Sequence, residues 1–189
     1  HCYDKQRNFA QARFYYRKAS HLNQGDSKLT YKIACTYLNE SQWVNAVKQL
    51  EAAIRLQGRH PEYYLALGEC KIQLGEFKEA IQAFGTVVRL RQKNIGGWEA
   101  LVRCLYLAGM YAQALEQVQQ AIRISGNKPL LTFYTSAIYF AMGKPKEGLL
   151  HLDRALSKSP KLLKKMIALN PSLLQSQSIV DVIARYRKR

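Results

Sequence analysis

Small and apolar residues recur along this chain with a step of 34 positions. The step relates Gly75 to Gly109 and Gly143, and it relates Trp43 to Phe77. The same step runs through a series of alanines: Ala12, Ala46, Ala80 and Ala114. Because many positions share one frame, the pattern predicts a stack of similar structural units rather than one irregular core.

Within one unit, the periodicity predicts two helices joined by a tight turn. If Pro61 is position 1 of the unit 61–94, positions 4, 7, 8 and 11 have helical spacing, and so do positions 20, 24, 27 and 30. Small residues at positions 8 and 20 would let the two helices approach closely, and the glycine at position 15 suits the turn. One helical hairpin cannot bury both of its faces, so successive hairpins are expected to stack.

These residues resemble the tetratricopeptide repeat family. Two segments carry the resemblance: Tyr64, Leu67 and Gly68 with Gly75, Phe77, Ala80 and Phe84, and then Trp98 and Leu101 with Gly109, Tyr111, Ala114 and Ala121. Lys71, Pro145 and Gly148 depart from the family pattern. The resemblance implies an all-α fold, a right-handed superhelical solenoid of 34-residue helix-turn-helix repeats with a C-terminal capping helix.

The frame divides the chain into successive segments. Residues 1–26 are expected to be the second half of an upstream repeat that is truncated here, with a degenerate cap over residues 1–6 as the alternative. Four complete repeats are expected next: 27–60, 61–94, 95–128 and 129–162. Residues 163–189 are expected to form C-terminal capping helices and a basic tail.

The C-terminal segment leaves the frame because Pro171 would break a further first helix. The sequence predicts a short helix over about 161–169, a turn at Asn170–Pro171, and a last helix that starts near Ser176 or Ser178. One apolar face is expected on that last helix: Ile179, Val182, Ile183 and Tyr186. A terminal repeat needs such a cap, with a polar outer side.

The chain is strongly basic. The chain has 29 Lys and Arg against 13 Asp and Glu, a net charge of +16, which favours acidic partners. Arg55, Arg89 and Arg123 recur at the ends of second helices, where cations complement the helix dipole. Dipole complement and solubility are the preferred interpretation. The alternative is a basic edge that, with the C-terminal tail, binds nucleic acid or another polyanion.

The resemblance also indicates where a partner would bind, because first helices line the concave groove in this family. The expected groove residues are Lys28, Tyr31, Lys32, Cys35, Asn39, Leu65, Glu69, Ile72, Gln73, Glu99, Arg103, Tyr106, Phe133, Tyr134 and Phe140. Exposed apolar area of this kind suits an amphipathic helix or an extended apolar peptide. Alternatively, Phe133, Tyr134 and Phe140 pack against the neighbouring hairpin or the C-terminal helices. Tyr106 and Phe133 are expected to contribute more to binding than Arg89 and Arg123.

The sequence indicates no enzyme. The four histidines have no paired spacing, and no nucleophile elbow, phosphate loop or metalloprotease motif occurs, so no catalytic residue, cofactor or metal ligand is expected. The four cysteines lack Cys-x-x-Cys spacing, which favours reduced thiols and a cytoplasmic location. No apolar run is long enough to insert in a membrane. The sequence therefore predicts a scaffold that binds a protein or peptide, with an acidic partner or nucleic acid as the alternative.

Overall fold

The computed structural model describes residues 8–23 and 25–187, and the regular elements in those ranges are all helices. The chain divides into two compact units, residues 1–91 and 92–189. The described helices of the first unit are α1 (Phe9–Leu22), α2 (Ser27–Asn39), α3 (Trp43–Leu56), α4 (Pro61–Gln73) and α5 (Phe77–Leu90). The expectations for residues 1–6 lie outside the described ranges.

The second unit begins with two helical hairpins and ends in a more irregular segment. Its helices are α6 (Ile95–Leu107), α7 (Tyr111–Ser125), α8 (Pro129–Ala141), α9 (Pro145–Lys158), α10 (Leu163–Leu169) and α11 (Gln177–Arg187). Short 3₁₀ segments flank α10 at Pro160–Leu162 and Pro171–Gln175. Helix α10 packs on α8, whereas α11 packs on α9.

Each hairpin turn uses a left-handed backbone residue, as the sequence predicts. Gly75, Gly109 and Gly143 have φ angles of 77°, 73° and 71°, a region in which glycine has no steric penalty. Ser41 occupies the same position in the first complete hairpin with φ of 56°. The sharp reversal explains why first and second helices pack closely side by side within α2–α3, α4–α5 and α8–α9.

The predicted stripe on the second helices forms the core of every hairpin. Its positions 20, 24 and 27 are buried in every complete hairpin: Ala46, Leu50, Ala53, Ala80, Phe84, Val87, Ala114, Val118, Ala121, Gly148, Leu152 and Ala155. Position 30 was predicted to belong to the stripe but is exposed in the last turn of each second helix, at Leu56, Leu90, Ile124 and Lys158. The small residue at position 8 also has its predicted role, because a Cβ added to Gly68 would lie 2.5 Å from two ring atoms of Phe84. Helices α4 and α5 can therefore approach this closely only with glycine at that point.

Local signals explain where the helices begin. The Asp26 carboxylate accepts from the backbone N–H groups of Lys28 and Leu29 at 2.8 and 3.2 Å, which caps α2. The Asn94 side chain caps α6 by accepting from Gly96 N–H at 2.8 Å. Helices α4, α8 and α9 each start with a proline, which loses no helical hydrogen bond at the first position.

The C-terminal segment differs in detail from its prediction. The helix expected over 161–169 is a 3₁₀ turn followed by α10, and the simple turn at Asn170–Pro171 is the start of a second 3₁₀ segment. Pro171 has a φ that suits a helix, and Asn170 Oδ1 accepts from Ser172 N–H at 3.1 Å, so the chain forms a 3₁₀ helix there. Ile179, Val182 and Ile183 are buried as predicted.

Candidate functional site

The expected groove residues of the first unit lie on α2 and α4 and remain partly or fully accessible. We call them the first-unit face: Lys28, Tyr31, Lys32, Cys35, Asn39, Leu65, Glu69, Ile72 and Gln73. Lys28, Asn39 and Gln73 are exposed, and the other members are half-buried. Half-burial fixes the rotamers of apolar side chains yet leaves part of their surface for a ligand.

An aromatic row runs along the first-unit face. The Tyr31 and Tyr63 ring centroids lie 4.8 Å apart, and the His60 ring centroid is also 4.8 Å from that of Tyr63. The Tyr63 hydroxyl lies 3.1 Å from Ser27 Oγ, which in turn donates to Gln57 Oε1 at 3.0 Å. Burial raises the pKa of the Tyr31 phenol, and the neighbouring Cys35 adds to this.

Tyr63 was not expected here, because position 3 belongs neither to the predicted core stripe nor to the groove positions. The structure buries it beneath Tyr31, where it is 3% exposed. The only sequence signal is its place beside Tyr64 at the start of α4. The row shows that a buried side chain supports the half-exposed Tyr31 and sets its orientation.

The corresponding positions of the second unit are largely closed. We call them the second-unit face: Glu99, Arg103, Tyr106, Phe133, Tyr134 and Phe140. Tyr106, Phe133 and Tyr134 are only 6%, 1% and 2% exposed. The prediction that these aromatics line an open groove is wrong, and the alternative of packing against neighbouring elements is correct for Phe133 and Tyr134.

The C-terminal segment of the same chain covers the second-unit face. Lys165 Nζ donates to both Glu99 carboxylate oxygens, at 2.6 and 2.8 Å, and the Tyr134 hydroxyl donates to Glu99 Oε1 at 3.3 Å. Asn170 Nδ2 donates to the Tyr106 hydroxyl at 3.4 Å. Since α10 also packs on α8, this face already has an intramolecular occupant.

Electrostatics agree with this closed arrangement. Burial raises the pKa of the Tyr134 phenol, and the negative charge of Glu99 raises it further, while Arg103 opposes the shift. Burial also raises the pKa of Tyr106, partly offset by the hydrogen bond from Asn170. Both phenols therefore stay neutral donors and acceptors within the packed interface.

Two members of the second-unit face differ from these aromatics. Arg103 and Phe140 are half-buried, and Phe140 lies against the adjacent helix, because a Cβ added to Gly148 would be 2.7 Å from the ring. The departure of Gly148 from the family pattern thus makes room for Phe140. Sequence reasoning missed Lys165, Met166 and Asn170 as members of this region, because their register relative to α6 is set only by how α10 docks.

The basic positions follow the predicted dipole arrangement. Arg55, Arg89 and Arg123 are exposed in the last turns of α3, α5 and α7. Arg89 Nη2 donates to Thr86 Oγ1 of its own helix at 2.8 Å. The end of the basic tail, residues 188–189, lies outside the described ranges.

Two further features bear on the chemistry of the chain. Over residues 8–23 and 25–187, no group of three His, Cys, Asp or Glu side chains is placed to hold a metal ion. In the same part of the chain, every helix is too short or too polar to cross a membrane.

The repeated hairpins define a helical repeat solenoid, and comparisons with known proteins identify the type of repeat. Residues 5–87 match the model described as Anaphase-promoting complex, cyclosome, subunit 3, and residues 72–129 match a tetratricopeptide repeat model. The chain belongs to the tetratricopeptide repeat family, whose members are generally non-catalytic scaffolds that bind other proteins. No curated protein sequence matches the chain.

Solved structures of similar fold agree with this assignment. MamA is 20% identical with a TM-score of 0.74, covering 86% of this chain and 88% of that one. YrrB, a tetratricopeptide repeat protein with an unusual peptide-binding site, is 19% identical with a TM-score of 0.70, covering 86% and 84%. TTC0263 from Thermus thermophilus is 20% identical with a TM-score of 0.61, covering 88% and 91%. At these identities the likeness establishes the fold.

Proposed function

We propose that this protein is a non-catalytic scaffold and that it binds a peptide or helix of a partner protein on the first-unit face. The observation that carries the proposal is the contrast between the two faces. The first-unit face keeps half-buried aromatic and aliphatic side chains accessible, whereas the second-unit face is covered by α10 and its flanking segments.

The chemistry of the first-unit face favours an apolar segment with some acidic residues. Tyr31, Leu65 and Ile72 offer apolar surface, which suits the side chains of an amphipathic helix or extended peptide. Lys28 and Lys32 add positive charge at one side, so an acidic residue in the partner would be favoured there. The peptide-binding site of YrrB supports peptide recognition by a fold of this kind.

The proposal includes no catalytic step and places the protein in the cytoplasm. Cys70 is a buried thiol whose pKa is raised to about 11 by burial and by the nearby Glu69, so it is inert rather than nucleophilic. Thiols packed in the helix cores suit a reducing compartment. The general role of the family as scaffolds supports the absence of catalysis.

Site-specific photo-crosslinking in cells tests where the partner binds. A photoreactive phenylalanine replaces Leu65 on the first-unit face or, as the control, Val44, which is 56% exposed on the second helix α3. We expect a discrete crosslinked protein from the position-65 variant only. Equal crosslinking from both positions, or from position 44 alone, would contradict the proposal.

Substitutions and salt then separate groove binding from binding of a polyanion. Tyr31→Ala and Ile72→Ala should each weaken binding of the crosslinked partner by about 1–2 kcal/mol, with little effect from Val44→Ala. Binding should change only modestly between low and physiological salt. A loss of several orders of magnitude over that range would favour the polyanion alternative instead.

A further inference from the structure

A cavity of about 430 Å³ lies in the second unit, between α7, α8 and α9 and outside the second-unit face. Leu115 and Ile122 of α7 and the Tyr139 ring of α8 provide its apolar wall. Arg154 and Lys158, one turn apart on α9, stand at its edge. Its volume falls within the range of small-molecule sites, and helices bound it on three sides.

The two cations at this cavity have no anionic partner within the described part of the chain. No carboxylate there lies within 4.0 Å of the Arg154 guanidinium or the Lys158 ammonium. This contrasts with Arg13 and Lys165, which pair with Glu40 and Glu99 in the same structure. Unpaired cations beside a cavity provide charge that an anionic ligand would complement.

Three hydroxyl groups of the cavity lining are engaged in intramolecular hydrogen bonds. Thr132 Oγ1 donates to Asn127 Oδ1 at 3.0 Å, Thr135 Oγ1 donates to Leu131 O at 2.9 Å, and Ser157 Oγ donates to Arg154 O at 2.9 Å. These three hydroxyl protons are therefore not available to a ligand. Arg154 and Lys158 are donors only, so a ligand must meet them with acceptor atoms.

His151 keeps the inner part of the cavity uncharged. Its ring stacks on Tyr139 with centroids 5.3 Å apart and planes 22° apart. Burial lowers the pKa of His151, and the nearby positive charge of Arg154 lowers it further. At neutral pH the cavity thus combines a flat, neutral aromatic wall with positive charge at its edge.

The first unit has an equivalent cavity whose charged residues can be compared with those of the second unit. Two repeats earlier, the equivalent cavity of the first unit, about 330 Å³, is lined by Glu51 and Thr86, where the second unit has Gln119 and Arg154. The residue equivalent to His151 there is Ala83. Packing of second helices against the intervening first helix creates the space in both units. In the first unit the lining includes Lys71, which is paired with Glu76, together with the acidic Glu51 and Glu79. The lining of the second-unit cavity has two cations and no carboxylate.

From this geometry we infer that the cavity binds a small organic anion, with a carboxylate or phosphate group held by Arg154 and Lys158. The apolar body of the ligand, about the size of a benzene ring, lies against Leu115, Ile122 and Tyr139. A compact ligand free in solution fits better than an extended chain, because three helices enclose the space. This inference is independent of partner binding on the first-unit face.

Phenyl phosphate tests the inference, with inorganic phosphate and phenol as its two halves. Titration of the full chain, followed by amide chemical shifts, should give saturable binding of phenyl phosphate with a Kd on the order of 1 mM or lower. Each half should bind at least about tenfold more weakly, because it loses either the charge contact or the apolar contact. Inorganic phosphate binding as tightly as phenyl phosphate would overturn the inference.

Variants establish the location of binding. Arg154→Gln and Lys158→Gln should each weaken phenyl phosphate binding about tenfold, and both side chains are exposed, so the melting temperature should stay unchanged. Lys144→Gln removes the same charge from the start of α9 outside the cavity and should leave the Kd unchanged. The same loss in all three variants, or no loss in the first two, would overturn the inference.

Discussion

At the scale of the residue, the hairpin turn shows how one backbone angle constrains the sequence. Gly75, Gly109 and Gly143 take positive φ, and Ser41 does so with a side chain. A left-handed conformation costs an L-residue roughly 1–2 kcal/mol, while glycine avoids that cost but loses more entropy on folding. The balance at position 41 therefore favours glycine.

We expect Ser41→Gly to raise the free energy of unfolding by about 0.5–1 kcal/mol, because the left-handed strain is relieved. Urea denaturation followed by circular dichroism measures the change. The reverse substitution, Gly109→Ser, is the matched control and should lower stability by a similar amount. A loss of stability in Ser41→Gly would mean that the serine side chain contributes more than the strain removes.

At the scale of the element, the spacing between α4 and α5 depends on a residue without a side chain. The Phe84 ring is fully buried and lies where a Cβ on Gly68 would have to stand. Gly85 is also helical, but nothing lies within 4 Å of the position of its Cβ. Substitution of Gly85 therefore changes helix propensity alone, whereas substitution of Gly68 changes both helix propensity and the packing between α4 and α5.

Gly68→Ala is expected to lower the free energy of unfolding by about 1–2 kcal/mol, since overpacking outweighs the better helix propensity of alanine. Gly85→Ala should raise it by about 0.5–1 kcal/mol, because only the propensity changes there. Thermal and urea unfolding of both variants check the pair. Stabilisation by Gly68→Ala would show that Phe84 can move aside at little cost.

At the scale of the whole molecule, the last residues complete the second unit. The α10 residue Met166 is 2% exposed, and Lys165 and Asn170 bond to Glu99 and Tyr106. Together these contacts cover apolar surface that the repeats themselves leave open. The segment therefore contributes a terminal cap of the kind that helical repeats need.

Deletion of residues 163–189 should expose Phe133 and Tyr134, so we expect strong binding of a hydrophobic dye and a lower melting temperature. Glu99→Gln, the control, removes the charge of the partly exposed ion pair with Lys165 and keeps an amide oxygen that can accept from the Tyr134 hydroxyl. It should cost about 1 kcal/mol or less and leave dye binding unchanged. An unchanged melting temperature after the deletion would contradict the capping role of the segment.

The hairpins and most of their core positions could be predicted from the sequence. Turn glycines such as Gly75 need a particular φ, and stripe residues such as Leu50 and Phe84 repeat at helical spacing, so both depend on local geometry that a sequence displays directly. The small residues at positions 8 and 20 of the repeat also indicated where the two helices of a hairpin pack closely. In the structure Gly68, at position 8, packs against Phe84 of the second helix.

Which of the predicted groove positions stay accessible depends on long-range packing. Phe133 on α8 and Tyr31 on α2 belong to the same expected groove, yet one is buried and the other is half-buried. The difference comes from the docking of α10, whose contacts with Glu99 and Tyr106 join residues more than sixty positions apart. No periodicity specifies that docking, because the segment after residue 162 leaves the repeat and its register depends on long-range packing.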